Sequence, residues 1–178
     1  MTQVEVTRMD KFSVTLYAQT VFGIMGHPRR FFRELPKSIN ITYPLGFLIL
    51  SAVFFTIASQ IATHLQNFLV VGSIYLLNAV GMVFILTGLA FVVMRLSIGN
   101  TADFVSLFSI YALCSGVTLL VSWVPHSALL TEPWKWYLIG TGMIQVCGLK
   151  LKEALLIITL SLGIWYLFFR AIIALIIR

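Results

Sequence analysis

Five apolar runs, each near the length of a bilayer crossing, dominate the sequence: Pro44 to about Leu65, Phe68 to Met94, Phe104 to Val124, Trp134 to Leu149, and Ala154 to about Ile177. A transmembrane helix needs about 20 predominantly apolar residues. Hydrocarbon admits only structures that satisfy their own backbone, and runs of this kind do so as helices. The chain of 178 residues is 60% hydrophobic and 10% charged, whereas a soluble domain has roughly 45–50% apolar and about 25% charged residues. Its few charges lie at the ends of the runs, and no polar linker separates them. The expected fold class is therefore all-α: a polytopic membrane helix bundle over residues 44–178, with five transmembrane helices (44–65, 68–94, 104–124, 134–149, 154–177) preceded by cytoplasmic interfacial amphipathic helices. The fourth run is short and rich in glycine, so four spans with a re-entrant or interfacial fourth run is the alternative count.

The links between runs are short, which forces sequential neighbours to pack antiparallel. Five spans then place Arg8, Lys11, Arg29, Arg30, Arg33, Lys37, Arg95, Lys150 and Lys152 on one side, and only Lys135 and Arg178 on the other. The positive-inside rule makes the first side cytoplasmic, with the N-terminus inside and the C-terminus outside. Trp123, Trp134, Trp136 and Tyr137 gather at the outer boundary, as an aromatic belt does. The expected location is a cytoplasmic (inner) membrane of a prokaryotic cell.

Ahead of the runs, residues 1–11 form a polar tail and residues 12–43 an amphipathic segment. Val14, Tyr17, Ala18, Val21, Phe22 and Met25 recur at helical spacing, with Ser13, Thr15, Gln19, Thr20 and Gly23 mostly opposite. That predicts an amphipathic helix too polar to span. His27-Pro28 breaks it, and Pro28 suits the first turn of a second helix. There Phe31, Phe32 and Leu35 make an apolar edge while Arg29, Arg30 and Arg33 face away, the pattern of a segment lying on the bilayer surface. Arg29, Arg30, Phe31, Phe32 and Arg33 are accordingly the candidate membrane-interface and partner-binding residues.

The net charge of +6 reads as membrane orientation and attraction to anionic lipid on the cytoplasmic side, not as nucleic-acid binding. The two cysteines, Cys114 and Cys147, sit inside apolar runs, where small core residues are expected rather than a disulfide or metal site. No signal peptide is visible, so the first spanning helix is expected to serve as an uncleaved insertion signal. No zinc-protease, nucleophile-elbow, paired-aspartate or phosphate-loop pattern occurs, and neither catalytic residue, metal nor cofactor is assigned.

Polar groups within the runs are the remaining candidates, since each is costly in hydrocarbon. Asn78 lies near the middle of the second run, where its amide suits an interhelical hydrogen bond or a substrate contact. Arg170 lies about 24 Å along the fifth run at 1.5 Å per residue. It reads as snorkelling to the headgroups, with a pair to Glu132 or a lipid-phosphate contact as alternatives. Asn78 and Arg170 are thus a candidate intramembrane polar site. Gln60 and His64 share a helix face, and with His126 and Glu132 they fall on the outer side, as a weak external site at most. Gly140, Gly142 and Gly148 allow close packing of the fourth run, with Gly81 and Gly88 as a possible opposing groove.

Pro28-Arg29-Arg30-Phe31-Phe32, the run from Phe104-Val105-Ser106-Leu107-Phe108-Ser109-Ile110-Tyr111-Ala112 to Trp123-Val124-Pro125, and the stretch from Trp136-Tyr137-Leu138-Ile139-Gly140 through Gly148-Leu149 to Lys152-Glu153-Ala154-Leu155 together resemble the Yip family, the Rab-interacting polytopic membrane proteins. The resemblance covers roughly residues 25–175 and looks closest to the prokaryotic branch. It implies a five-helix bundle without catalytic activity. In eukaryotic members it implies binding of prenylated Rab GTPases and roles in vesicle traffic and membrane shape. The sequence shows neither their long acidic cytoplasmic region nor the Asp-Leu-Tyr-Gly-Pro type of motif, and no Rab site is carried over. Pro28, Phe31, Phe32, Tyr111 and Pro125 match the family pattern as structural positions.

These readings converge on a non-enzymatic integral membrane scaffold or adaptor. It would bind lipid or a protein partner through its cytoplasmic basic-aromatic segment and bundle, either alone or as a homo-oligomer. A small transporter or channel acting as an oligomer, or a subunit of one, is the second expectation.

Overall fold

The computed structural model describes residues 14–36, 39–63, 67–124 and 126–176. The polar tail, Lys37, His64, Pro125 and Arg178 fall outside the described residues. Within them the chain forms seven helices: α1 (Val14–Gly26), α2 (Pro28–Glu34), α3 (Thr42–Thr63), α4 (Phe68–Ser97), α5 (Phe104–Ser122), α6 (Ala128–Cys147) and α7 (Leu151–Ile176). Four of these, α3, α4, α5 and α7, are long and apolar enough to cross a membrane. Helix α6 has 20 residues, about 30 Å of rise, but Glu132, Pro133, Lys135 and Gln145 make it less apolar.

Local chemistry sets the boundaries. Pro28 opens α2, and Leu35, which precedes Pro36, is extended at φ −67° and ψ 128°, as a residue before proline prefers. At the start of α5 the Ser106 hydroxyl donates to Asp103 Oδ1 at 2.6 Å, and this bond holds the Asp103 carboxyl below the usual carboxylate range. At the start of α7 the Lys150 backbone N–H donates to Glu153 Oε2 at 2.8 Å, the glutamate half of a capping box. Helix α6 begins at Ala128 and runs through Pro133, earlier than the boundary at Trp134 expected from the sequence. The proline forfeits one backbone hydrogen bond near the helix start, and the flanking residues carry the helix past it.

Helix α5 is the axis of the bundle. It packs against α3, α4 and α6, and against α1 less extensively, while α7 closes the far side by packing on α4 and α6. Every residue from Ser106 to Cys114 is buried. Two contacts fix the close approaches. A Cβ at Gly116 of α5 would lie 2.6 Å from the Phe47 ring of α3, and one at Gly142 of α6 would lie 2.5 Å from Ile110 of α5. Phe84 and Phe91 of α4 meet Phe108 and Phe104 of α5 at ring-centroid distances of 4.6 and 5.8 Å. Gly81 and Gly88 face open space, so they do not form the groove that receives α6. That role belongs to α5, because large side chains there press on the glycine of the partner.

Hydroxyls are numerous in these apolar helices because most satisfy themselves on the preceding turn. Ser51 donates to the Phe47 carbonyl, Thr87 to Val83, Ser109 to Val105 and Thr141 to Tyr137, at 2.7 to 2.9 Å.

Candidate functional site

Helix α1 uses its polar groups to dock. The Thr20 hydroxyl donates to the Leu16 carbonyl at 2.8 Å and so accepts from the Tyr43 phenol of α3. The Ser51 hydroxyl, already donating to Phe47, accepts from the Tyr17 phenol at 2.8 Å, and the Tyr17 ring lies 4.6 Å from that of Phe47. Thr20 and Ile24 are buried, whereas Val14 is 80% and Phe22 75% exposed. The sequence reading placed Thr20 opposite the packed face, and here the structure corrects it. In a membrane protein the solvent around the bundle is itself apolar, so hydroxyls turn inward to find partners and alkyl and phenyl groups can face out.

Helix α2 departs from expectation in the same sense. Phe32 is 1% exposed and Leu35 is buried. Phe31 packs edge-on against Phe32 at 5.5 Å and presses on Gly23 of α1. The aromatic edge is therefore seated in the bundle core rather than laid on a bilayer, because the amphipathic pattern that suits a lipid surface suits a protein core equally. The arginines do face away, and all three are exposed. Arg30 Nε donates to Glu34 Oε1 at 2.9 Å, and this guanidinium holds the Glu34 carboxyl below its usual range. Arg29 and Arg33, one turn apart on one face, have no carboxylate within 4 Å among the described residues.

Arg29 and Arg33 border a groove of about 370 Å³ between α2, α6 and α7, within the range of small-ligand sites. Trp136 to Gln145 of α6 and Leu151 to Ile158 of α7 supply the other walls. The groove extends to the end of the bundle where α6 stops and α7 begins, the end that also carries Lys150 and Lys152. There too α4 ends at Arg95, whose guanidinium lies 4.8 Å from the centre of the Phe91 ring. No single sequence signal marks this groove, since its lining comes from three separated segments.

The other candidates do not converge. Asn78 is exposed on α4, on the face it shares with Gly81, Ile85 and Gly88, and makes no hydrogen bond among the described residues. Arg170 is exposed near the end of α7. Its alternative partner Glu132 is instead bound to Lys135 at 2.6 Å. Gln60 is 3% exposed between α3 and α4, where its amide and the Thr56 hydroxyl have no partner among the described residues, beside a pocket of about 200 Å³. His126 is exposed in the α5–α6 link, and His64 lies outside the described residues. Among the described residues no group of three or more His, Cys, Asp or Glu gathers as metal ligands.

A family model described as the Yip1 domain matches residues 22–172. The match takes in α2 through α6 whole, the last five residues of α1 and all but the last four residues of α7. No curated protein and no solved structure matches the chain.

Proposed function

The chain belongs to the Yip1 domain family, and on that premise we propose that it is a non-enzymatic membrane scaffold or adaptor that holds lipid or a protein partner through the arginine face of α2. One observation carries the reading. The aromatic side of α2 is locked into the core through Phe32, so Arg29 and Arg33 are displayed on a rigid mount. We further propose that α6 crosses the membrane as a fifth span. Its length and its packing between α5 and α7 support this. The arginine-bearing end is then cytoplasmic, with the N-terminus inside, the C-terminus outside and a prokaryotic inner membrane as the setting. The test is purification in mild detergent with mass spectrometry of what co-purifies. An Arg29→Glu/Arg30→Glu/Arg33→Glu chain should lose a partner or anionic lipid that the parent retains at stoichiometric level. Equal retention by both chains refutes the reading.

Asn78 favours a second reading, a homo-oligomer that serves as a small transporter or channel or as part of one. An amide in the middle of a lipid-facing helix has no partner in hydrocarbon, and a second copy would supply one. Asn78→Leu should then convert the oligomer to monomer in gentle detergent, as read by analytical ultracentrifugation. A parent chain that is already monomeric removes this reading.

A further inference from the structure

The groove between α2, α6 and α7 joins two chemistries. Among the described residues Arg29 and Arg33 border it with no carboxylate within 4 Å, and no acidic side chain lines it. Gln145 also lines it, with an amide that has no hydrogen-bond partner among the described residues. Much of the remaining wall is apolar, with Ile144, Leu155 and Ile158 among its members. Leu155 is 53% exposed, so the groove opens sideways at a helix surface. From Trp136 to Gln145 the α6 wall covers about 14 Å of rise, longer than a phosphate alone can occupy.

We infer that this groove binds one molecule of an anionic phospholipid, the phosphate held by Arg29 and Arg33 and an acyl chain lying along α6 and α7 past Leu155. The inference rests on the reading of α2 as the ligand-holding face and names its ligand. Two guanidiniums one turn apart present planar donor forks that match phosphate oxygens. A soluble phosphate ester would leave the apolar wall exposed, and an uncharged lipid would leave both arginines unpaired. Arg30 takes no part, because Glu34 occupies it. Lys150 and Lys152 at the same end of the bundle add a field that attracts anionic headgroups.

The full chain, washed free of lipid in mild detergent, is titrated with phosphatidylglycerol or phosphatidylcholine, and bound lipid is counted by native mass spectrometry. One phosphatidylglycerol should bind about tenfold or more tightly than phosphatidylcholine. Arg29→Gln/Arg33→Gln should abolish that preference while Arg30→Gln keeps it. Leu155→Trp should weaken both lipids by obstructing the acyl path, and glycerol phosphate should displace neither. A double-arginine variant that elutes as the parent does and retains its preference overturns the proposal. Displacement by glycerol phosphate also overturns it, by making the site one for soluble phosphate esters. Protein partners are read on the same preparations. A chain that holds the lipid but no partner refutes the protein-adaptor reading alone, and one that holds a partner but shows no lipid preference refutes the lipid site alone.

Discussion

Helices α4 and α5 are neighbours, and α4 is the more apolar of the two, yet 61% of the apolar 18-residue stretch of α5 is buried in protein against 28% of that of α4. In water the more apolar helix would be the more buried. In a bilayer lipid tails match leucine in polarity, so apolarity places a helix in the membrane without deciding what it packs against. Shape decides that instead. Gly116 of α5 receives Phe47 and Ile110 of α5 fills the space beside Gly142, whereas Gly81 and Gly88 of α4 have nothing against them.

The largest expected effect breaks the comparison directly. Phe108 of α5 is fully buried with its ring 4.6 Å from that of Phe84, while Leu77 of α4 is 76% exposed. Phe108→Ala should cost roughly 3 kcal/mol, the low end for such truncations, because lipid already solvates the unfolded helix. Leu77→Ala should stay within about 0.5 kcal/mol, the usual range away from packed features. Denaturation in mixed micelles measures both. Similar losses at the two positions would mean that α4 is covered by protein, and would favour the oligomer over the monomer.

The same logic separates what could be read in the sequence from what could not. Long apolar runs and short links gave the helix order, since both follow from bilayer thickness and chain reach. The facing of each helix was not legible. Thr20 looks like the polar side of α1 but lies on its docking side, and Phe31 and Phe32 look like a lipid edge but hold α2 to the core. Hydropathy carries no sign that tells lipid from protein interior. Gly142 was singled out in the sequence as a close-packing residue, because a missing side chain is informative in either solvent. Its partner, Ile110, was not, because nothing local distinguishes it. Arg29 and Arg33 were legible as exposed cations, whereas the groove beside them needed α6 and α7 in place.

A smaller effect sharpens the glycine contrast. Gly116→Ala should destabilise by about 1–3 kcal/mol, as overpacking a filled site does, since its new methyl meets a ring at 2.6 Å. Gly88→Ala meets nothing and should be neutral or stabilising by up to about 1 kcal/mol through helix propensity. Thermal unfolding of the purified variants separates the two. A Gly88 variant as damaged as the Gly116 variant would again place a partner on α4.

The smallest effect lies at the beginnings of the two helices. Helix α5 starts at an aspartate that accepts a hydrogen bond from Ser106, whereas α4 starts from Asn67 in the left-handed region at φ 63°, with no titratable group. The Asp103 carboxyl is held below its ordinary range, first by that hydrogen bond. A depressed folded-state value means the ionised carboxylate stabilises the fold above the ordinary carboxylate range, and that contribution is lost as pH falls through the folded value. Asp103 is largely exposed to screening, so the effect should be well under about 1 kcal/mol. Unfolding midpoints compared at neutral pH and near pH 3 should show a loss in the parent that is reduced in Asp103→Asn. An identical loss in both chains would place the acid sensitivity at another carboxylate, with Glu34, paired to Arg30, the next to replace. The start of α5 would then be as indifferent to pH as the start of α4, and the difference between the two helices would lie wholly in their packing.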